Sequence, residues 1–339
     1  MATKPNILAI ESSCDDTGAA VLSNGKILSN IISSQQIHSK HGGVVPELAS
    51  RDHQKNIVHV VESALEKANA ELGDMDAVAI TAGPGLLGSL LVGLSYAKGI
   101  ALALNKPLIE VNHLDAHILA HFIDKPRPKL PFMCLLVSGG HTQIVLVKEP
   151  LEHEIIGKTI DDAAGEAFDK GAKILGLPYP GGPIIDKNAQ QGNADAFHFN
   201  QPKVKDFDYS FSGLKTALLY FLRDQLKENQ SFIQENMNDL CASWQKVIVD
   251  YLISKLKKAA KAYGVKHIGI AGGVAANSYL RSSLENLGKE LGIYTYIPAF
   301  EYCLDNAGMI AKVAEFKFEK RAFAELDLAP FTRVGKPLS

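Results

Sequence analysis

The sequence predicts an α/β fold assembled from two copies of one αβ unit. Three observations carry this. Strand-like and helix-like segments alternate along the whole chain. A strand, polar turn, strand plan at residues 7–22 returns at 133–147. The 339 residues also exceed the roughly 250–300 at which a single core stops growing.

The elements follow in order. Residues 7–10, 19–22 and 27–32 read as short strands, and Asn24-Gly25 joins the last two. Both of those residues tolerate the positive φ of a type I′ hairpin turn. Ile57, Val61, Leu65 and Ala68 recur at helical spacing. A strand at 77–81, a glycine turn, a helix at 89–104 and a strand at 108–111 complete the first unit. The apolar run around 86–104 is interrupted by Gly88, Ser89, Gly93, Ser95, Lys98 and Gly99, so it reads as a buried helix rather than a membrane span. The proline-rich, charged stretch 125–131 reads as a linker. Strands at 132–137 and 143–147 open the second unit, followed by helices around 161–175, 212–227 and 239–262. A strand at 267–271, a helix at 275–291, a strand at 294–297 and a helix at 305–321 close the chain.

Composition narrows the function. With 46% apolar and 21% charged residues the chain can bury sizeable cores, which excludes global disorder. A net charge of −2 argues against gripping nucleic acid by bulk charge, so such a partner would need a local basic patch or helper subunits. Lysines cluster at 255, 257, 258, 261 and 266, and basic residues again at 312, 317, 320 and 321. Without interleaved aromatics they read as solvated helix faces. Cys14, Cys134, Cys241 and Cys303 are far apart with no C-x-x-C pair, which fits a reducing cytosol rather than a disulfide framework or zinc ribbon. Residues 1–6 lead straight into the first strand with no signal-like or transit-like segment, so a cytoplasmic protein is expected.

Five motifs can carry chemistry. Ser138-Gly139-Gly140-His141-Thr142 follows a buried strand; its glycines let backbone N–H groups approach an anion, and an ordinary hairpin turn is the plainer reading. Gly272-Gly273-Val274-Ala275-Ala276-Asn277 lies at a strand-to-helix turn. It suits close approach of a flat or phosphorylated ligand, with Asn277 one turn in, or simply tight packing. It has neither G-x-G-x-x-G spacing nor a P-loop lysine. His113 and His117, four apart, share one helix face and can bind one metal ion, or are a coincidence of a surface helix. Leu114 stands where a zinc protease needs its Glu. Asp305 is a candidate third ligand, and two His with one carboxylate suit Fe(II), Zn or Mn with open positions. The segment 176–183 packs three Pro and three Gly into a rigid loop, and Asp161, Asp162, Glu166 and Asp169 upstream read as a solvated helix face. The turn 83–88 reads as structural, with a helix N-terminus bordering a site as the alternative.

Taken together, seven motifs occur in one order: 10–17, 81–86, 113–117, 136–142, 210–216, 272–277 and 303–308. Over about residues 7–321 the chain closely resembles the TsaD family of tRNA threonylcarbamoyltransferases, once labelled O-sialoglycoprotein endopeptidases, and the forms at 81–88 and 179–183 resemble its bacterial branch. The resemblance implies an actin/Hsp70/sugar-kinase-like fold, with two duplicated ribonuclease-H-like subdomains around a central cleft. Residues 1–125 with 305–325 would form subdomain I, and 126–304 subdomain II with a helical insertion. It implies His113, His117 and Asp305 as ligands of one divalent metal per subunit, Fe2+ first, with Zn2+ or Mg2+ as alternatives. Leu136, Val137, Ser138, Gly139 and Gly140 would contact the phosphate and threonylcarbamoyl region. Asp169, Gly182, Asp186 and Asn277 would hold the sugar and base of the adenylate. One departure is visible: Leu114-Asp115-Ala116 separates the histidines where the family more often has Leu-Glu-Gly.

The implied reaction moves the threonylcarbamoyl group from L-threonylcarbamoyl-AMP to N6 of adenosine 37 in tRNAs reading ANN codons, releasing AMP. TsaB-like and TsaE-like subunits are the implied partners, a TsaC-like enzyme would supply the substrate, and no membrane is involved. Glu11, Asp15 and Asp16 are candidate general bases, with no choice among them. An ATP-dependent phosphotransferase of the same fold, a metalloprotease and a non-catalytic nucleotide-binding scaffold are the rival readings; the two-histidine triad stands against the first and Leu114 against the second.

Overall fold

A computed structural model describes residues 4–35, 38 and 43–332. The described residues form two compact units: one runs up to Arg127 and resumes at Pro298, and the other is Pro128–Ile297.

The first unit begins with β1 (Ile7–Glu11), β2 (Asp16–Ser23) and β3 (Lys26–Ser34). Asn24 and Gly25 take φ of 51° and 76°, the two positive values a type I′ hairpin demands. Next come α1 (Pro46–Ala68), β4 (Ala77–Gly83), α2 (Leu87–Leu104), β5 (Leu108–Asn112) and α3 (His113–Leu119). The strand order is β3-β2-β1-β4-β5. β1 pairs antiparallel with β2 and parallel with β4, placing Ile10 opposite Ala19 on one side and Ile80 on the other. A strand covered on both faces is apolar throughout, and Ile7-Leu8-Ala9-Ile10 are all fully buried. Leu8, Ile10, Val78 and Ile80 pack with Ile57, Val61 and Leu65 of α1 and Leu94, Ala97 and Ala101 of α2. By length and composition α2 is apolar enough to cross a membrane. Only one of its faces is buried in that core, and Leu87, Leu91 and Leu102 are exposed.

The second unit repeats the plan. β6 (Phe132–Val137), β7 (Thr142–Glu149) and β8 (Glu152–Lys158) are followed by α4 (Ala164–Ile174), α5 (Gly181–Ala189), α6 (Ser212–Glu228), α7 (Phe232–Glu235) and α8 (Met237–Tyr263). β9 (His267–Ala271), α9 (Ser278–Leu291) and β10 (Tyr294–Tyr296) complete it. Its strand order is β10-β9-β6-β7-β8, with β6 antiparallel to β7 and parallel to β9. Strand for strand this matches the first sheet, so the duplicated α/β fold expected from the repeated hairpin is present. The helical insertion between β8 and β9 occupies the place in the chain order that α1 and a short 3-10 turn at Leu72–Asp74 take in the first unit.

Some local expectations change. β8 carries almost no apolar signal in the sequence because it is a polar edge strand, with Glu152-His153-Glu154 at its start. Part of the glycine- and proline-dense stretch is helical: α5 begins at Gly181, with Pro183 in its first turn, where a missing N–H costs nothing. Asn277 is not one turn inside a helix. It is the N-cap of α9, its side chain accepting from the Leu280 N–H at 2.9 Å.

The last helix, α10 (Ala307–Glu319), follows β10 in the chain as α3 follows β5. It packs in the first unit, against β1, β2 and α3. Gly18 of β2 permits that approach, since a Cβ there would lie 3.1 Å from the Ala307 nitrogen.

Candidate active site

In the first unit β5 delivers the chain to α3. Asn112 closes the strand and caps the helix, its Oδ1 accepting from Leu114 N at 2.9 Å. His113 is therefore the first helical residue and His117 sits one turn on, on the same face. Asp305 comes from the other end of the sequence, just before Asn306, which caps α10 by accepting from Met309 N at 2.9 Å. The two caps hold the three side chains together. His113 Nε2 and His117 Nε2 are 3.1 Å apart, and Asp305 Oδ1 lies 3.4 and 3.2 Å from them.

Those separations suit a metal ion. Donors at about 2.0–2.2 Å from one ion lie about 2.9–3.5 Å from each other in octahedral or tetrahedral arrangements. Two imidazole nitrogens facing each other also need a cation or proton to separate their lone pairs. Both histidines are buried, as is the carboxylate Glu11 behind them. Burial works against charge on His113, but Asp305 and Glu11 outweigh it and hold its pKa well above the usual histidine range. For His117 burial prevails and the pKa falls. Burial would raise Asp305 and Glu11, yet the histidines keep both carboxyls below their ordinary values. The His117 Nδ1 is buried with no hydrogen-bond partner among the described residues. His113, His117 and Asp305 thus form the group that can hold a metal, as their spacing and residue types anticipate.

The turn after β1 is braced by its neighbours. His53 of α1, fully buried, reaches Thr17 Oγ1 at 2.7 Å and the Cys14 carbonyl at 3.0 Å. Leu86 N donates to the Ser13 carbonyl at 2.7 Å, so the 83–88 turn serves as a structural support here.

In the second unit the remaining predicted residues form a closed circuit. The Ser138 N–H donates to the His141 carbonyl at 2.8 Å, closing the β6–β7 turn and leaving Gly139 and Gly140 exposed at its tip. Gly165 N, at the start of α4, donates to the Ser138 carbonyl at 3.2 Å, and Thr142 Oγ1 accepts from Ala164 N at 2.8 Å. Further along α4, Asp169 Oδ1 accepts from Gly181 N at 2.8 Å, tying in α5 and Gly182. From α5, Asp186 accepts from Ser278 Oγ at 2.6 Å and Ser278 N at 3.2 Å, at the start of α9 beside Asn277. The circuit returns through Gly272, whose φ of 87° brings its backbone against Val137. The side chains of Leu136 and Val137 are fully buried in β6, so only their backbone can face a ligand. Burial raises the Asp169 carboxyl, and the Gly181 and Gly182 N–H groups offset part of that rise.

Two residues take roles that their sequence context does not show. Asp161 is no solvated helix-face acid: it caps α6, accepting from Ser210 Oγ, Phe211 N, and the N and Oγ of Ser212. Gln245, 5% exposed, accepts from Asn277 Nδ2 at 2.6 Å; nothing in its helical sequence context marks it.

Residues 26–312 match the family model described as TsaD: tRNA N6-adenosine threonylcarbamoyltransferase. A protein of that name from Riemerella anatipestifer is 58% identical over 330 residues, 96% of this chain and 97% of the relative. One from Christiangramia forsetii is 55% identical, covering 97% and 98%. Among solved structures, full-length HypF in its phosphate- and nucleotide-bound form aligns with a TM-score of 0.63 at 14% identity, over 96% of this chain and 48% of HypF. The activator of 2-hydroxyisocaproyl-CoA dehydratase from Clostridium difficile, with bound ADPNP, aligns with a TM-score of 0.50 at 15% identity, over 94% and 98%. At such identities these two share the fold alone.

Proposed function

Because the chain belongs to the TsaD family of tRNA N6-adenosine threonylcarbamoyltransferases, we propose that its buried triad holds a divalent metal and its second unit holds an adenylate for acyl transfer. The chain is a transferase of tRNA modification that forms N6-threonylcarbamoyladenosine. The donor in this reading is L-threonylcarbamoyl-AMP and the acceptor is N6 of adenosine 37 in tRNAs reading ANN codons. A C–N bond forms, the bond from the carbamoyl carbon to the phosphate oxygen breaks, and AMP and a proton leave.

His113, His117 and Asp305 would hold the metal, with Fe2+ the first choice and Zn2+ or Mg2+ the alternatives. When bound, the metal supplies a Lewis acid for the carbamoyl carbonyl. The chain's own residues do the rest. Gly139 and Gly140 offer exposed backbone to the phosphate and acyl region, with Ser138 beside them and Leu136 and Val137 contributing through the main chain. Asp169, Gly182, Asp186 and Asn277 would hold the ribose and base; their hydrogen-bonded circuit keeps them in place before the ligand arrives. An exocyclic amine is a poor nucleophile, so positioning and electrophile activation dominate.

TsaB-like and TsaE-like subunits are the proposed partners, a TsaC-like enzyme the donor's source, and the cytoplasm the compartment. The exposed Leu87, Leu91 and Leu102 along α2 favour an apolar partner surface.

The observation that carries the reading is the convergence of His113, His117 and Asp305 in a chain of this family. The test is to incubate the full-length chain and these partners with threonine, bicarbonate, ATP and unmodified tRNA. Mass spectrometry should detect the modified nucleoside, and a His117→Ala chain should form at least about a hundredfold less. No product with folded partners would sink the assignment.

A further inference from the structure

Glu11 closes β1, is fully buried, and among the described residues stands outside the group that can hold a metal. Its Oε2 lies 3.1 Å from His113 Nδ1, the ring nitrogen that Asp305 does not approach. The same oxygen accepts from Thr81 Oγ1 at 2.5 Å, and Oε1 accepts from the Ser13 N–H at 2.5 Å. Thr81 is itself fully buried in β4, one residue beyond the Ile10–Ile80 pair of the parallel ladder. Sheet register therefore sets where the carboxylate stands.

We propose that Glu11 is a positioning residue: anchored by Thr81 and Ser13, it holds the Nδ1 proton of His113 and turns Nε2 toward Asp305 and the metal. The inference rests on the metal reading above. An ionised carboxylate only accepts, so His113 Nδ1 is the donor in this contact; with that proton held, Nε2 is the nitrogen left for a metal, and it faces the other two ligands at 3.1 and 3.4 Å. Carboxylate partners of this kind fix both the tautomer and the ring orientation of a metal-binding histidine. The second unit serves as an internal control. Its β6 ends at Val137 in the same sheet topology, so the fold does not require an acid at this place. Burying a carboxylate is costly unless donors surround it, and here the donors include the very ring that needs orienting.

The test uses the full-length chain stripped of metal and titrated with Zn2+ against a chromophoric chelator. Glu11→Gln and Glu11→Ala should bind Zn2+ about 10- to 100-fold more weakly. Thr81→Val, which removes only an anchor, should bind severalfold more weakly. In the Zn2+-loaded, 15N-histidine-labelled wild type, His113 should carry its proton on Nδ1, and Glu11→Gln should show mixed tautomers. Circular dichroism checks folding; if Glu11→Ala does not fold, the Thr81→Val affinity and the wild-type nitrogen spectrum decide. Affinities within threefold of wild type in the folded variants, or a proton on His113 Nε2, would overturn the proposal. If wild type binds no Zn2+, or His117→Ala binds it as tightly, the triad reading fails and this inference fails with it.

Discussion

His117 Nε2 lies 3.2 Å from Asp305 Oδ1, although 188 residues separate the two in the chain. One belongs to the helix after the fifth strand of the first sheet, and the other immediately precedes the helix after the fifth strand of the second. Both nevertheless belong to the first unit, whose two chain segments, up to Arg127 and from Pro298, supply the group that can hold a metal.

Removing Asp305 should empty the group of metal while leaving the helices intact, because the α10 cap is Asn306 and not Asp305. Asp305→Ala is expected to retain its circular dichroism spectrum and to lose metal by elemental analysis. Nucleoside formation should fall at least about a hundredfold. Asn306→Ala, by contrast, should lower thermal stability by about 1 kcal/mol through loss of the cap.

Asp16 gives a pH dependence of known sign. Burial raises its carboxyl to about 7, with the nearby acids Asp305, Asp15 and Glu11 adding to the rise and a Ser34 hydrogen bond opposing it. The folded state keeps this proton while the unfolded state releases it near the ordinary value, so stability falls as pH rises from about 4 to about 7. Asp16→Asn removes the penalty. Its thermal midpoint should exceed that of wild type at pH 8, by the equivalent of about 2 kcal/mol after solvent screening, and match it near pH 4. An equal gain at both pH values would contradict this account.

The start of α4 leaves no room for a side chain. A Cβ at Gly165 would lie 2.5 Å from the Ser138 carbonyl oxygen and 2.7 Å from Gly139 Cα, both backbone atoms. Gly165→Ala should therefore displace the 138–141 turn, cost about 1–3 kcal/mol and weaken adenylate binding measured by calorimetry. Gly213→Ala, where a Cβ meets nothing within 4 Å on α6, is the control and should be neutral or stabilising.

Asp161 accepts four hydrogen bonds at the start of α6. Asp161→Ala should cost about 1–2 kcal/mol and accelerate hydrogen exchange at Phe211 and Ser212 without changing metal content. Unchanged exchange at those amides would refute the capping role.

Much of the fold was legible in short stretches. The Asn24-Gly25 hairpin, the buried apolar strands at 7–10 and 132–137 and the repeated hairpin plan are local signals, and the sheets follow them. β8 and α5 escaped because an edge strand carries little apolar pattern and because glycine and proline at a helix start look like a loop. Asp169 and Asp161 looked alike as helix-face acids. Only the neighbours that the fold brings to them, Gly181 in one case and Ser210 with Ser212 in the other, separate their roles.

By itself the sequence determined the two-unit α/β plan and placed His113 and His117 on one helical face, because periodicity and turn chemistry act over a few residues. The tertiary structure alone decided that Asp305 completes the group, that Glu11 stands behind His113, and that 138, 165, 169, 181, 186 and 278 close on one another. These contacts span tens to hundreds of residues. They are set by parallel register and by helix docking on buried strands, which no local pattern encodes.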